Sequence, residues 1–269
     1  MSRTQLQLSR SELVFLLSFI GFNSLYGQED LIPDNSQQQS DCQIEDGMRS
    51  LSKRGLLAVN DSGVVLDDFL IAFVGACIRP EATFLLTHYF QTQTNVFYFY
   101  VTSYIIVKQF QLSADVFVFE FIPDVHTLEK HIAKCFEDID YDGVSEPSQS
   151  ITLSLSEDTF AQLINFCLQK TKTSISALLY QEAGWDDDTI ELFEHTCNES
   201  PLWIGVVAWN LRSHRPNMND PLIGFQGEKW HWIVEFDEKQ TLLNISPVDK
   251  SQFINYFLSS IDPIKTIFH

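Results

Sequence analysis

The pattern Leu8-Ser9-x-x-x-Leu13-x-x-Leu16-Leu17-x-Phe19 occurs twice in this chain, returning as Leu155-Ser156-x-x-x-Phe160-x-x-Leu163-Ile164-x-Phe166. What the first copy builds, the second is expected to build again. In each copy a serine stands where an N-cap belongs, and the apolar residues after it share one helical face. The recurrence resolves an ambiguity at the start of the chain. Leu13 to Leu17 is an uninterrupted apolar run with Arg3 and Arg10 upstream, which fits the outline of a secretory signal. Against that, Glu12 abuts the run, "NSLYGQED" offers no small-x-small cleavage site, and the run is too short to span a bilayer. A signal peptide has no reason to reappear in mid-chain. Both copies therefore read as the opening helix of a half.

The order of elements repeats as well. After the first helix, "IEDGMRSLSKRGLLA" (44–58) has amphipathic spacing and ends near Gly55, "VNDSGVVL" is a short turn-containing extended piece, and "DDFLIAFVGACIRP" is a buried helix with an Asp cap and a Pro80 stop. Strand-like runs follow at 83–90, 95–110 and 115–122, and Pro123 introduces a helix over 124–138. In the second half, helical stretches around "SISALLYQEAG" and "DDDTIELFEHTC" lead to strand-like runs at 202–212, 228–237 and 239–246. Pro247 then introduces a helix over 248–261. The predicted fold class is α+β: two quasi-repeated halves, each made of helices, a three-stranded antiparallel meander and a closing helix. The polar stretch "EDIDYDGVSEPSQS" is the expected joint, giving an N-terminal half at 1–143 and a C-terminal half at 150–269 that pack as two domains or as one.

Charge excludes some partners. The net charge is −19, with 9 basic against 19 acidic residues up to Gly143 and 8 against 17 beyond it. Neither half is built to meet a phosphate backbone, so nucleic acid is not an expected partner, and no segment suggests membrane insertion. The five cysteines form no CxxC and are odd in number, which favours free thiols in a reducing, cytoplasmic setting.

Few stretches point to chemistry. Asp138, Asp140, Asp142 and Gly143 match the first positions of a calcium loop, but Gln149 stands where the bidentate Glu belongs, so a solvated acidic linker is the plainer reading. His126 and His131 lie five apart on a helix and diverge by about 140°, unlike a zinc-binding pair. In "KWHWIVEF" the alternation of Trp230, Trp232, Val234 and Phe236 is explained by core packing under a sheet. No cofactor motif is present. The run "NVFYFYVTSYIIVKQF" stands out because one face carries Phe97, Phe99 and Val101 while the other carries Tyr98, Tyr100 and Tyr104. A strand apolar on both sides needs either a cover from its own chain or a partner, and tyrosines suit a protein interface.

With Ser50-Leu51, Arg54-Gly55-Leu56 and the helix ending in Arg79-Pro80, followed by a meander and a quasi-repeat, the layout resembles the EspG family of type VII (ESX) secretion chaperones over nearly the whole chain. The resemblance implies a non-enzymatic, cytosolic protein of two related α+β halves that binds helical PE–PPE pairs, or another small secreted helical pair, through the meander and its hairpin loops. Gln91, Asn95 and the row Tyr98, Tyr100 and Tyr104 occupy comparable places here, and all three tyrosines are expected to be at least partly exposed. A homodimer is a further arrangement that this plan admits. Two other readings stay open: a winged-helix regulator, for which Arg49, Lys53 and Arg54 form the only basic cluster, and an enzyme with a cleft between its halves.

Overall fold

A computed structural model describes residues 4–28, 37–61, 63–90, 93–136, 152–169, 176, 179–180, 187–199, 201–227, 230–237 and 242–268. The first half runs β1 (Gln5–Ser9), α1 (Arg10–Ile20), α2 (Gln37–Lys53), the hairpin β2 (Leu57–Asn60) and β3 (Gly63–Leu66), and α3 (Asp68–Ile78). It continues through β4 (Ala82–Phe90), β5 (Gln93–Val101), β6 (Ile106–Ser113) and β7 (Val116–Ile122) to α4 (Val125–Lys134). The second half runs β8 (Leu153–Ser156), α5 (Glu157–Gln169), α6 (Asp187–Glu199), β9 (Leu202–Trp209), β10 (Asn217–Met218), β11 (Leu222–Gln226), β12 (His231–Asp237) and β13 (Leu242–Val248). It closes with α7 (Lys250–Ser259) and the short α8 (Asp262–Lys265).

Apart from the β2–β3 hairpin, these strands join one antiparallel sheet in the order β1-β7-β6-β5-β4-β9-β11-β12-β13-β8, with β10 added on β9. The order is a palindrome of the two halves. From either edge inward come the strand before the opening helix, then the last meander strand, and finally the first. The two first strands, β4 and β9, pair at the centre from Ala82↔Trp209 to Tyr89↔Leu202. The class is α+β, as the sequence pattern predicts.

Both sheet faces are covered. On one face α4 and α7 pack together over the centre, where Phe136 lies 5.1 Å from Phe257 and 4.5 Å from Trp203, ring centre to ring centre. Phe84, Leu86, Leu128, Ile132, Phe253 and Phe257 complete this core. Glycines in the sheet make room for the rings: a Cβ at Gly224 would sit 2.5 Å from Phe253 Cε2, and one at Gly205 would sit 3.1 Å from Phe84. On the other face the helices of each half cover their own strands. Leu16, Leu17, Phe73 and Cys77 meet Tyr100, Val107 and Phe119, while Leu163, Cys167 and Phe193 meet Trp232 and Val234.

Four features differ from the sequence reading. Residues 95–110 are not one strand but the hairpin β5–β6, so the first meander has four strands rather than three. The turn carries no Gly or Pro and is shaped instead by Thr102. Its Oγ1 donates to the Ile105 carbonyl at 2.9 Å and accepts from the Ile105 N–H at 3.1 Å. The second meander gains β11, whose five residues include Gly224 and look like a loop. β1 and β8, of five and four residues, precede the opening helices and were hidden by their brevity. Finally, the sheet is covered on both faces, which explains why His231 is buried like Trp232 and why Ile233 on the same face as His231 is partly buried.

The recurring serine does what its position implies in both halves. Ser9 caps α1, and Ser156 Oγ accepts from Thr159 N at 3.3 Å at the start of α5. Glu12 completes the cap by accepting from Ser9 N at 2.8 Å. Its buried carboxylate also accepts from Ser50 Oγ at 2.7 Å and from Arg54 Nη1 at 2.6 Å, which ties α1 to the end of α2. Arg54 Nη2 reaches on to the Gln7 carbonyl at 2.8 Å. Two outward-facing backbone groups of the edge strand β1 are thereby occupied, which blunts that edge against pairing with another chain. Close approach of α1 and α2 needs Gly47, since a Cβ there would collide with the Ser11 carbonyl.

Arg54→Met leaves the buried Glu12 carboxylate without its counter-charge and is expected to cost about 3–5 kcal/mol in urea unfolding. Glu12→Gln keeps most of the hydrogen bonds and is expected to cost about 1 kcal/mol; the reverse ranking would contradict a buried ion pair. A second expectation concerns His231, which is buried against Phe253 at 5.0 Å. Burial, reinforced by Lys250, lowers its pKa to about 4, while Asp249 opposes the shift. The folded chain thus holds it neutral where the unfolded chain binds a proton. Its contribution is complete above about pH 6.5 and is lost as the pH falls towards about 4, by up to about 1.4 kcal/mol per pH unit. Equilibrium unfolding of His231→Leu across that window is expected to show a shallower pH dependence than the parent chain.

Candidate functional site

The tips of the β4–β5 and β6–β7 hairpins lie at the same end of the sheet, because consecutive antiparallel strands reverse direction at every turn. Between them and the loop after α1 is a groove of about 440 Å³. Gln28, Tyr98 and Gln109 contribute its interior, while Gln93, Asn95 and Leu112 stand among its exposed lining. The β6–β7 tip is pinned to the start of α1: Arg10 N donates to the Asp115 carbonyl at 2.8 Å and Arg10 Nη2 to the Ala114 carbonyl at 3.0 Å. Gln111 Nε2 also donates to the Ala114 carbonyl, at 2.9 Å.

A polar clasp holds the loop after α1 against the sheet. Tyr98 Oη donates to the Gly27 carbonyl at 3.2 Å, and Tyr100 Oη donates to the Tyr26 carbonyl at 3.1 Å. Gln28 Nε2 donates to Tyr100 Oη at 2.8 Å and also to Gln109 Oε1. The two tyrosine rings lie parallel at 5.8 Å. Burial raises the pKa of Tyr98 and, more strongly, that of Tyr100, with Cys77 adding to the latter and the Gln28 hydrogen bond opposing it. Both hydroxyls therefore stay protonated donors at any ordinary pH.

This arrangement divides the residues singled out in the sequence. Asn95 and Tyr98 line the groove together. Tyr100 does not join them and is fully buried, contrary to the expectation of exposure, because the chain's own loop covers it. Tyr104 is 90% exposed, but it sits on the β5–β6 turn at the opposite end of the sheet, about 20 Å of strand away from Asn95. The tyrosines thus form no continuous row. Gln91 and the calcium-loop candidates Asp138, Asp140 and Asp142 lie outside the described residues. Sequence reasoning missed Gln28, Gln109 and Leu112. No local signal marks them, since the groove joins residues from the α1 loop and two hairpins.

The Tyr104 end has its own polar hub. Glu81 Oε1 accepts from Ser103 Oγ at 3.1 Å and faces Arg212 Nη2 at 3.4 Å, linking the β5–β6 turn to the loop after β9. A smaller hollow of about 280 Å³ lies there, lined by Glu81, Asn210 and Arg212 among others. Among the described residues no group of three or more His, Cys, Asp and Glu side chains is disposed to hold a metal ion. The upward pKa shifts of Cys77, Tyr100 and Cys197 belong to core residues and arise first from desolvation. No helix among the described residues is long and apolar enough to cross a membrane.

These features define a class: an α+β protein of two pseudo-symmetric halves sharing one sheet, with a groove between hairpin tips. Among solved structures the chain is similar to the type VII secretion system chaperone EspG5 of Mycobacterium tuberculosis, determined in complex with a PE25–PPE41 dimer. The TM-score is 0.65 over 95% of each chain, at 9% sequence identity. At that identity the likeness is one of fold, and it agrees at that level with the layout read from the sequence. No protein-family model and no curated protein matches the sequence.

Tyr100→Phe removes the hydroxyl that links Gln28 to the Tyr26 carbonyl and is expected to cost about 1–3 kcal/mol. It should also speed amide hydrogen exchange over residues 22–28. Tyr104→Ala, at a solvent-facing turn, is expected to change stability by less than about 0.5 kcal/mol.

Proposed function

We propose that this chain is a non-enzymatic, cytoplasmic binding protein of the EspG kind, a chaperone that holds a helical secretion substrate of PE–PPE type or another small secreted helical pair. The observation that carries this reading is the likeness in fold, over 95% of both chains, to a chaperone whose structure was solved with such a dimer bound. The residues favour the meander end of the first half as the docking place. A pinned hairpin tip, an exposed Leu112 and the exposed Asn95 give a preformed surface whose backbone need not be ordered on binding. Tyr98 contributes a partly exposed side chain, whereas Tyr100 acts from below by fixing the loop that walls the groove. In this reading the halves 1–143 and 150–269 act as one body, with the groove in the first half and the second half bracing the sheet from which it rises.

Co-expression of the full chain with small secreted helical pairs from its own genome tests the reading, with complexes followed by size-exclusion chromatography and calorimetry. A stable complex is expected with at least one pair. Leu112→Asp is expected to weaken it about tenfold or more, while Tyr104→Ala leaves it within about twofold. Failure of every such pair to bind would overturn the chaperone reading; equal binding by the Leu112→Asp variant would overturn the placement of the site.

A further inference from the structure

Two of the five cysteines meet in the core of the second half. Cys167 lies on the buried face of α5 with Phe160 and Leu163, and Cys197 lies on the buried face of α6 with Ile190 and Phe193. The spacing i, i+3, i+7 is the same in both helices, so each cysteine ends the apolar stripe of its own helix, third from the last residue. α5 and α6 pack together over the strands β11 to β13. A hydrogen bond joins the two thiols. Burial first, and then Cys167 and Glu194, raise the Cys197 pKa well above its ordinary value. The pair therefore rests as thiols and is slow to meet reagents that need a thiolate. The other three cysteines sit elsewhere. Cys77 is in the core of the first half, Cys135 caps α4 beside the central aromatic cluster, and Cys42 is exposed on α2.

We infer that Cys167 and Cys197 form a reversible disulfide that staples α5 to α6 when the chain meets a hydroperoxide. Cys167 is 8% exposed and Cys197 3%, so the reagent reaches Cys167 first. The Cys167 sulfur attacks one oxygen of hydrogen peroxide, the O–O bond breaks, and a sulfenic acid forms as water leaves. The Cys197 sulfur then attacks the sulfenic sulfur. The S–O bond breaks, the S–S bond forms, and the departing hydroxyl takes the Cys197 proton as a second water. The two sulfurs lose two electrons in all, and the peroxide gains them. A second thiol already at hand intercepts the sulfenic acid before it is oxidised further. The bond closes a loop of about 30 residues, which restricts the unfolded chain and so favours the folded one. Thiol–disulfide exchange with a dithiol restores the reduced pair.

The test treats the full folded chain with hydrogen peroxide, quenches it, and maps disulfides by mass spectrometry after digestion without reductant. A peptide pair joined through Cys167 and Cys197 is expected as the first product, about 2 Da lighter than the two reduced peptides together. Thiols counted in denaturant are expected to fall from five to three. The oxidised chain is expected to melt about 5 °C or more above the reduced chain, and a dithiol should abolish the gain. Cys197→Ala is expected to stop at a sulfenic acid on Cys167, trapped by a carbon nucleophile, with no cross-link and no rise in Tm. The cross-link in the parent chain carries the test whether or not this variant folds. Persistence of all five thiols, a first cross-link through Cys42, Cys77 or Cys135, or direct conversion of Cys167 to a sulfinic acid would overturn the pairing. An oxidised chain that melts no higher than the reduced one would overturn the staple.

Discussion

Everything in this molecule hangs on one pairing of strands. β4 and β9 run antiparallel from Ala82↔Trp209 to Tyr89↔Leu202, and through them two half-sheets become one. The two strands hold equivalent places in their halves, so the seam has the self-complementary character of a two-fold interface. α4 and α7 lie over it on one face and bury Phe84, Phe136, Phe253 and Phe257 together. Neither closing helix could bury that aromatic cluster alone. The consequence for function is rigidity: the hairpins that wall the groove are strands of a sheet anchored through its middle.

The regular parts were legible where local chemistry and tertiary packing agree. Asp67 and Asp124 cap α3 and α4 where the sequence places the starts of those helices, and Ser9 caps α1 within the repeated pattern. The recurrence of that pattern carried the two-half plan because each copy must bury the same apolar face against the same kind of sheet. Less legible were features whose cause is distant or disguised. Thr102 builds a turn inside a run that reads as uninterrupted strand, because a hydroxyl does the work usually signalled by glycine or proline. β1 and β8 are recognisable only through the partners β7 and β13 that they complete.

The groove was half visible. Asn95 and Tyr98 lie on a strand whose two apolar faces asked for a cover, but periodicity cannot say which tyrosine the chain itself will cover. The answer came from Tyr26, Gly27 and Gln28, a stretch without regular structure that docks on β5 and encloses Tyr100. Glu12 is the opposite case. It stood out as a charge beside an apolar run, and the same misfit identifies it as a buried ligand for Ser50 and Arg54 rather than a defect in a leader. A charge in the wrong place pointed to a partner far along the chain.

The continuity of the sheet across β4 and β9 can be read directly from native-state amide hydrogen exchange of the full chain. If the two halves form one body, the amides of residues 83–88 and 203–208 exchange slowest and together, at the free energy of global unfolding. Fast exchange along either strand, at the rate of an open sheet edge, would mean that the halves part before they unfold and would contradict a single shared sheet.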